Sequence, residues 1–233
     1  MVDIAKHKLY LFQILKDIYT DIELSTSLGF KGGTALMFFY DLPRFSVDLD
    51  FNLLDREKEK LIYDKVRKIL RDYGNIHDEA MKFYGPVVVL DYGFGERKLK
   101  IEISNRDWDD RYEIKNLLGV DMKVMEASHM FAHKLCALLD RSEVTNRDIF
   151  DNWFFMERRT PINKRVVEMR MGMPLSQYIQ NCIDLLESMS DRKLLDGLGE
   201  LMEDDMKKFV RTKLRTETIS LLRFYKTYPV ISE

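Results

Sequence analysis

The sequence predicts an α+β protein, with an α/β portion over residues 1–120 followed by a helical portion over residues 121–233. Three observations lead there. A short strand, a glycine turn, a helix and a second strand follow one another within residues 27–53. Three more strand-like runs crowd into residues 81–104. From about Glu126 onward the apolar spacing is helical to the end. No Gly/Ser-rich linker separates the two portions, so the helical one is expected to complete a cleft begun by the first.

In order, Leu11, Ile14, Leu15, Ile18 and Ile22 recur at helical spacing and open the chain with an amphipathic helix. A short strand at Ser27–Phe30 leads into Gly32-Gly33-Thr34, and Ala35–Tyr40 reads as a short buried helix. Pro43 ends it, because the residue before a proline is pushed out of helical geometry. Ser46–Leu53 alternates: Val47, Leu49, Phe51 and Leu53 lie on one side, and Ser46, Asp48, Asp50 and Asn52 on the other. That is a strand with one core face and one face lining something polar. A helix over Arg56–Tyr73 precedes strands at Met81–Tyr84, Val87–Tyr92 and Lys98–Ser104, and Tyr112–Leu117 is a weaker strand. Helices at Glu126–Arg141 and Ile149–Met156 begin the second portion.

Composition narrows the function classes. A formal charge of −2 gives no global basic signature, so nucleic-acid contact has to come from local patches. Two such patches are Arg158, Arg159, Lys164 and Arg165, and the helical face of Lys207, Lys208, Arg211 and Arg215. No apolar run approaches the ~18 residues of a membrane span. The opening MVDIAKHKLYLF carries charges where a signal peptide has its apolar core, and two cysteines, Cys136 and Cys182, make a disulfide framework improbable. A cytoplasmic location is therefore expected. His129 and His133 lack a zinc-site pattern and read as structural.

The chemistry is concentrated in Lys31–Leu53. Residues i and i+2 of a strand share a face with Cα atoms ~6.5 Å apart, so Asp48 and Asp50 can chelate a hard cation together with triphosphate oxygens. An isolated Asp-x-Asp is more often a solvated edge strand; the apolar alternate face and the nearby glycines favour the site here. Gly32-Gly33-Thr34 stands where strand becomes helix, letting backbone approach an anion, although a plain turn with Thr34 as a cap fits equally well. Glu102, on the polar face of the cleanest strand, is the candidate third carboxylate, with Asp91 as its competitor. Lys134 and Arg141 share a helix face, where Lys134 is either snorkelling or held to meet a phosphate. Asp148 in a first helical turn is explained by the helix dipole alone.

Taken together, Lys31-Gly-Gly-Thr-Ala-Leu, Arg44-Phe-Ser-Val-Asp-Leu-Asp50, Lys100-Ile-Glu102-Ile, Lys134-Leu-Cys-Ala-Leu-Leu-Asp-Arg141 and Asn146-Arg-Asp148-Ile-Phe-Asp151 resemble the signatures of AbiEii/AbiGii-type nucleotidyltransferase toxins. These are DNA-polymerase-β-like nucleotidyltransferases and include the MenT-type members. The resemblance spans roughly residues 28–155. It implies a polymerase-β-like core, a short mixed sheet with flanking helices, followed by a C-terminal helical bundle. It also implies Mg2+, or Mn2+ in its place, on Asp48, Asp50 and Glu102. The nucleotide contacts would be Gly32, Gly33, Thr34, Arg44, Ser46, Lys134 and Arg141, and Lys134 and Asp148 match active-site positions of the family. One departure is Glu102, where the superfamily usually has Asp.

The implied reaction is transfer of a nucleoside monophosphate from an NTP with release of pyrophosphate. The implied acceptor is the tRNA 3′ end and the implied partner a cognate antitoxin, with no membrane and no DNA. Alternatives are a protein acceptor, a catalytically weak NTP-binding module, or an Asp-x-Asp glycosyltransferase. The last is disfavoured because too little sheet precedes Asp48.

Overall fold

The computed structural model describes residues 3–93, 95–140 and 144–232. The chain forms two compact units. One comprises Met1–Asp41, Phe45–Asp107 and Tyr112–Met125; the other comprises Leu42–Arg44, Trp108–Arg111 and Glu126–Glu233. Two short excursions of the N-terminal half, residues 42–44 and 108–111, thus belong to the second unit, while residues 121–125 belong to the first.

The first unit contains α1 (Ile4–Thr20), α2 (Ile22–Ser27), β1 (Leu28–Lys31), α3 (Gly32–Phe39), β2 (Leu49–Leu53), α4 (Glu59–Arg71), β3 (Asn75–Lys82), β4 (Gly85–Asp91), β5 (Leu99–Ser104), β6 (Tyr112–Leu117) and β7 (Val120–Met125). Asp3 caps α1 by accepting from the Lys6 N–H, and Leu11, Ile14, Leu15 and Ile18 are fully buried along one stripe. The expected continuation of that stripe to Ile22 fails. Asp21 leaves the helix and caps α2 through the N–H groups of Glu23 and Leu24, which turns Ile22 out to 81% exposure.

A seven-stranded mixed sheet runs in the order β3-β4-β5-β2-β1-β7-β6. β1 and β2 are antiparallel, whereas β2–β5 and β1–β7 are parallel. Register sorts the two faces. Phe30 pairs with Phe51 and with Val124, and Phe51 pairs with Ile103, so one face is a continuous apolar row. The rings of Phe30 and Phe51 pack at 5.4 Å with both residues fully buried, and truncating either to Ala is worth about 3–5 kcal/mol.

Three strand expectations need correction. The first outer strand is Asn75–Lys82 rather than Met81–Tyr84, and Phe83 and Tyr84 form its turn. This edge strand has no consistently buried face and therefore no apolar alternation to read. Only Leu49–Leu53 of the expected Ser46–Leu53 run is laddered, and residues 45–48 approach it irregularly. β7 is an added strand between β1 and β6; its Met122, Val124 and Met125 blend in sequence with the helix that follows.

The second unit contains α5 (Ala127–Asp140), α6 (Asn146–Glu157), β8 (Ile162–Asn163), α7 (Lys164–Met171), α8 (Leu175–Ser188), α9 (Asp204–Thr212), α10 (Leu214–Thr227) and β9 (Ile231–Ser232). Phe131 of α5 stacks on Phe155 of α6 at 5.1 Å and meets Tyr225 of α10 edge-on at 5.7 Å. Tyr178 of α8 donates its hydroxyl to the Leu135 and Cys136 carbonyls, and β8 and β9 form a two-residue parallel pair. His129 and His133 both turn to one oxygen of Asp110, at 3.2 and 2.7 Å, which holds the 108–111 segment to α5. Among the described residues no helix is long and apolar enough to cross a membrane.

Candidate active site

The glycine turn and the acid pair meet in the first unit. Gly32 has φ +82°, and a Cβ there would stand 2.4 Å from Asp50 Oδ2, so the Asp50 carboxylate lies against bare backbone at the start of α3. Lys31 precedes the helix without a side-chain cap, leaving first-turn N–H groups to an incoming anion. Thr34 is fully buried and donates its hydroxyl to the Asp48 carbonyl. Its side chain therefore neither caps the helix nor faces a ligand; what Thr34 can offer a triphosphate is its backbone N–H.

Asp48 precedes the β2 ladder, so its position is fixed from outside the sheet. Besides Thr34, the fully buried His7 of α1 donates Nε2–H to the Val47 carbonyl at 2.9 Å while its Nδ1 faces the Tyr92 hydroxyl. Burial lowers the His7 pKa, which keeps the ring neutral and suits this donor–acceptor arrangement. Ser46 is partly exposed in the same irregular approach.

Register decides which acid joins the pair. Asp50 is the direct partner of Glu102 on β5 and of Lys31 on β1, and Glu102 in turn faces Val87 on β4. Lys31, Asp50 and Glu102 thus form one polar row opposite the Phe30–Phe51–Ile103 row. Asp91 lies four residues along β4 from Val87, roughly 13 Å away, and accepts from the Gly93 N–H instead.

Charge in the row is unbalanced. Enclosure, then repulsion from Asp48 and Glu102, raises the Asp50 carboxyl above its ordinary range although Lys100 and Lys31 pull the other way. Burial opposes ionisation of Glu102 as well, but Lys100, Lys31 and Arg106 outweigh it and lower its pKa. Lys100, two residues before Glu102, reaches its carboxylate at 3.0 Å. Burial is the largest influence on Lys100, yet Asp50, Glu102 and Asp48 together raise its pKa, so it stays protonated as an internal counter-ion.

Among the described residues no three His, Cys, Asp or Glu side chains converge on one metal-sized point, and Glu102 turns toward Lys100. The donors nevertheless fit a hard divalent cation. They are carboxylate oxygens, mutually repelling, and backed by a helix start suited to the triphosphate that would complete the coordination.

The second unit holds a separate charged knot. Arg44 grips Asp151 in a two-pronged bond, Nε to Oδ1 and Nη2 to Oδ2, both at 2.7 Å, with the two side chains 3% and 0% exposed. Lys134 sits 2.8 Å from Asp151 and 3.4 Å from Asp148. Burial, the largest effect on Lys134, favours the neutral amine, but Asp151 and Asp148 outweigh it and raise the pKa. Asp148 also accepts from the Thr145 hydroxyl that caps α6, and Asn152 donates to the carbonyls of Lys134 and Asp148.

The expectation of a nucleotide contact from Arg44 thus meets a guanidinium already engaged with Asp151. Asp151, the last residue of the Asn146–Asp151 segment, is the acid that Arg44 and Lys134 share. The structure brings Lys134 and Asp148 together as a pair, and Arg141 lies outside the described residues. The basic clusters are partly neutralised within this unit: Lys207 by Asp204, Arg215 by Asp191, Lys164 by Glu168 and Arg165 by Asp109.

A mixed sheet that sets an acid pair and a neighbouring glutamate beside a glycine-opened helix is an arrangement suited to nucleotidyl transfer. The sequence matches the family described as "Nucleotidyl transferase AbiEii toxin, Type IV TA system" over residues 13–219, and the chain belongs to that family. An NTP substrate and a cognate antitoxin come with that membership. The fold is similar to that of JHP933 from Helicobacter pylori, with a TM-score of 0.64 and 20% identity over 97% of this chain and 93% of that one. It is equally similar to a candidate nucleotidyltransferase from H. pylori, with a TM-score of 0.65 and 20% identity over 97% and 95% of the two chains. No curated protein matches the sequence.

Proposed function

We propose that this chain is a cytoplasmic, Mg2+-dependent toxin that transfers a nucleoside monophosphate from an NTP to the 3′ end of tRNA. The observation that carries the reading is the polar row: Asp50 pressed against Gly32, with Glu102 as its direct partner and Asp48 pinned beside it by Thr34 and His7.

Asp48, Asp50 and Glu102 are the residues that would hold the ion, with Mn2+ as a substitute. When bound, it neutralises triphosphate charge and stabilises the attacking and leaving oxygens. The N–H groups of Gly32, Gly33 and Thr34 receive triphosphate oxygens, and Ser46 adds a hydroxyl from the approach to β2. Glu102, kept ionised by Lys100, accepts the proton of the acceptor hydroxyl. The resemblance of the Lys134–Arg141 and Asn146–Asp151 segments to the family's signatures supports active-site roles for Lys134 and Asp148, and Lys134 keeps its charge beside Asp151 and Asp148. The family supports a toxin encoded with an antitoxin, and the tRNA acceptor is proposed from the resemblance of the sequence signatures to MenT-type members.

The test is purified protein with Mg2+, total tRNA and each labelled NTP in turn. Labelled tRNA is expected from the wild type and none from Asp48→Ala or Asp50→Ala. Label persisting in both variants removes the metal assignment, and label appearing on a co-expressed protein moves the acceptor from RNA to polypeptide.

A further inference from the structure

The β3–β4 turn leaves large apolar side chains in water: Phe83 is 87% exposed, Tyr84 54% and Met81 53%. The two rings pack edge-to-face at 4.9 Å, and the Arg106 guanidinium lies 4.6 Å from the centre of the Tyr84 ring. The turn is held firmly. The Asn105 N–H donates to the Tyr84 carbonyl at 3.1 Å, and the Asn105 amide donates to the Phe83 carbonyl at 3.4 Å and to Glu59 at 3.2 Å. Gly85 has φ +107°, and a Cβ there would meet the Ile103 carbonyl oxygen at 2.1 Å, so the hairpin lies directly against the end of β5. Folding therefore fixes an exposed aromatic pair in place, at the cost of leaving it wet.

Its position supplies the purpose. Val87, the partner of Glu102, is three residues beyond Tyr84, so the turn is offset from the acid row by about 10 Å of backbone along β4. Arg106, two residues past the end of β5, stacks on Tyr84 and adds a fixed positive charge to the aromatic surface. Single-stranded nucleic acid is held by this combination, with rings for the bases and an arginine for the backbone.

We infer that Phe83, Tyr84 and Arg106 form the docking site for the single-stranded 3′-terminal nucleotides of the acceptor RNA, with a base stacked on Phe83 and a backbone phosphate on Arg106. This rests on the reading of RNA as acceptor. The chemistry favours RNA over an apolar protein segment, because the guanidinium is built into the aromatic surface and that surface caps the β4–β5 pair that carries Glu102.

The test uses the full chain and a short single-stranded RNA labelled at its 5′ end, read by fluorescence anisotropy, beside steady-state transfer to tRNA at saturating NTP. Phe83→Ala should weaken oligonucleotide binding and raise KM for RNA about tenfold or more, while Phe83→Trp stays near wild type. KM for NTP and kcat should not move. Arg106→Gln should reduce the salt dependence of binding by about one unit of slope. Because Phe83 is on the surface, the variants are expected to fold. Unchanged RNA binding and unchanged KM in Phe83→Ala and Tyr84→Leu overturn the docking site even if the wild type labels tRNA. Weakened oligonucleotide binding with no tRNA labelling by the wild type upholds the docking site and removes tRNA as the acceptor. A loss of self-association in Phe83→Ala with RNA binding intact assigns the rings to a second copy of the chain and also overturns the proposal.

Discussion

Removing Asp151 should strongly destabilise the second unit. Its carboxylate accepts both prongs of Arg44 and one bond from Lys134, all within a buried region. Asp151→Ala strands a guanidinium that is 3% exposed. Breaking a buried pair by deleting one partner costs about 3–5 kcal/mol, at least a fifth of the ~5–15 kcal/mol that holds a typical domain folded. Both tryptophans, Trp108 and Trp153, belong to this unit, so urea unfolding followed by tryptophan fluorescence reports on it directly. The expected result is a large fall in midpoint at unchanged slope. The double variant Arg44→Met/Asp151→Leu should recover most of the loss, because apolar replacement of both partners removes the stranded charge.

The same pair predicts an acid response. Burial resists ionisation of Asp151, but Arg44 and Lys134 outweigh it and lower its folded pKa. The stability it contributes is complete above the unfolded value of about 3.9 and is lost as pH falls through the lower folded pKa. Asp151→Ala should therefore flatten the acid limb of the stability curve. A single variant within about 1 kcal/mol of wild type, or a double variant no better than the single, refutes the account.

Two further outcomes follow from local geometry. Gly32→Ala places a methyl 2.4 Å from Asp50 Oδ2 at a φ of +82°, where an L-residue already costs about 1–2 kcal/mol. Nucleotide transfer should fall sharply while the melting temperature drops only modestly, and retained turnover would show that Asp50 need not lie against the start of α3. Cys136 and Cys182 are fully buried and free, with burial pushing both thiols up to about 12. A disulfide-exchange thiol reagent at mild alkaline pH should titrate neither in the native protein and both in denaturant; a fast-reacting thiol in the folded state contradicts this packing.

Legibility in the sequence followed a consistent rule. Alternation in residues 46–53 and 98–104 exposed β2 and β5, because each has one apolar and one polar face. The edge strand Asn75–Lys82 escaped because neither face is consistently buried. Asp21 could be recognised as a cap only once Ile22 was seen to be exposed. The basic residues on later helices suggested RNA contact, and several prove to be partnered by nearby acids of the same unit.

For the Lys31–Leu53 segment, the sequence alone determined that a glycine turn, a helix and an acid pair occur in succession, since spacing along one chain sets which side chains share a face. It could not determine that Glu102 rather than Asp91 stands beside Asp50. That choice is made by the parallel register of β2 on β5, a pairing between segments some fifty residues apart. Nor could it show that Thr34 and His7 are spent on the backbone of Asp48 and Val47, or that Arg44 is spent on Asp151. Those hydrogen bonds depend on which buried polar groups meet once the chain has packed, and only the tertiary structure decides that.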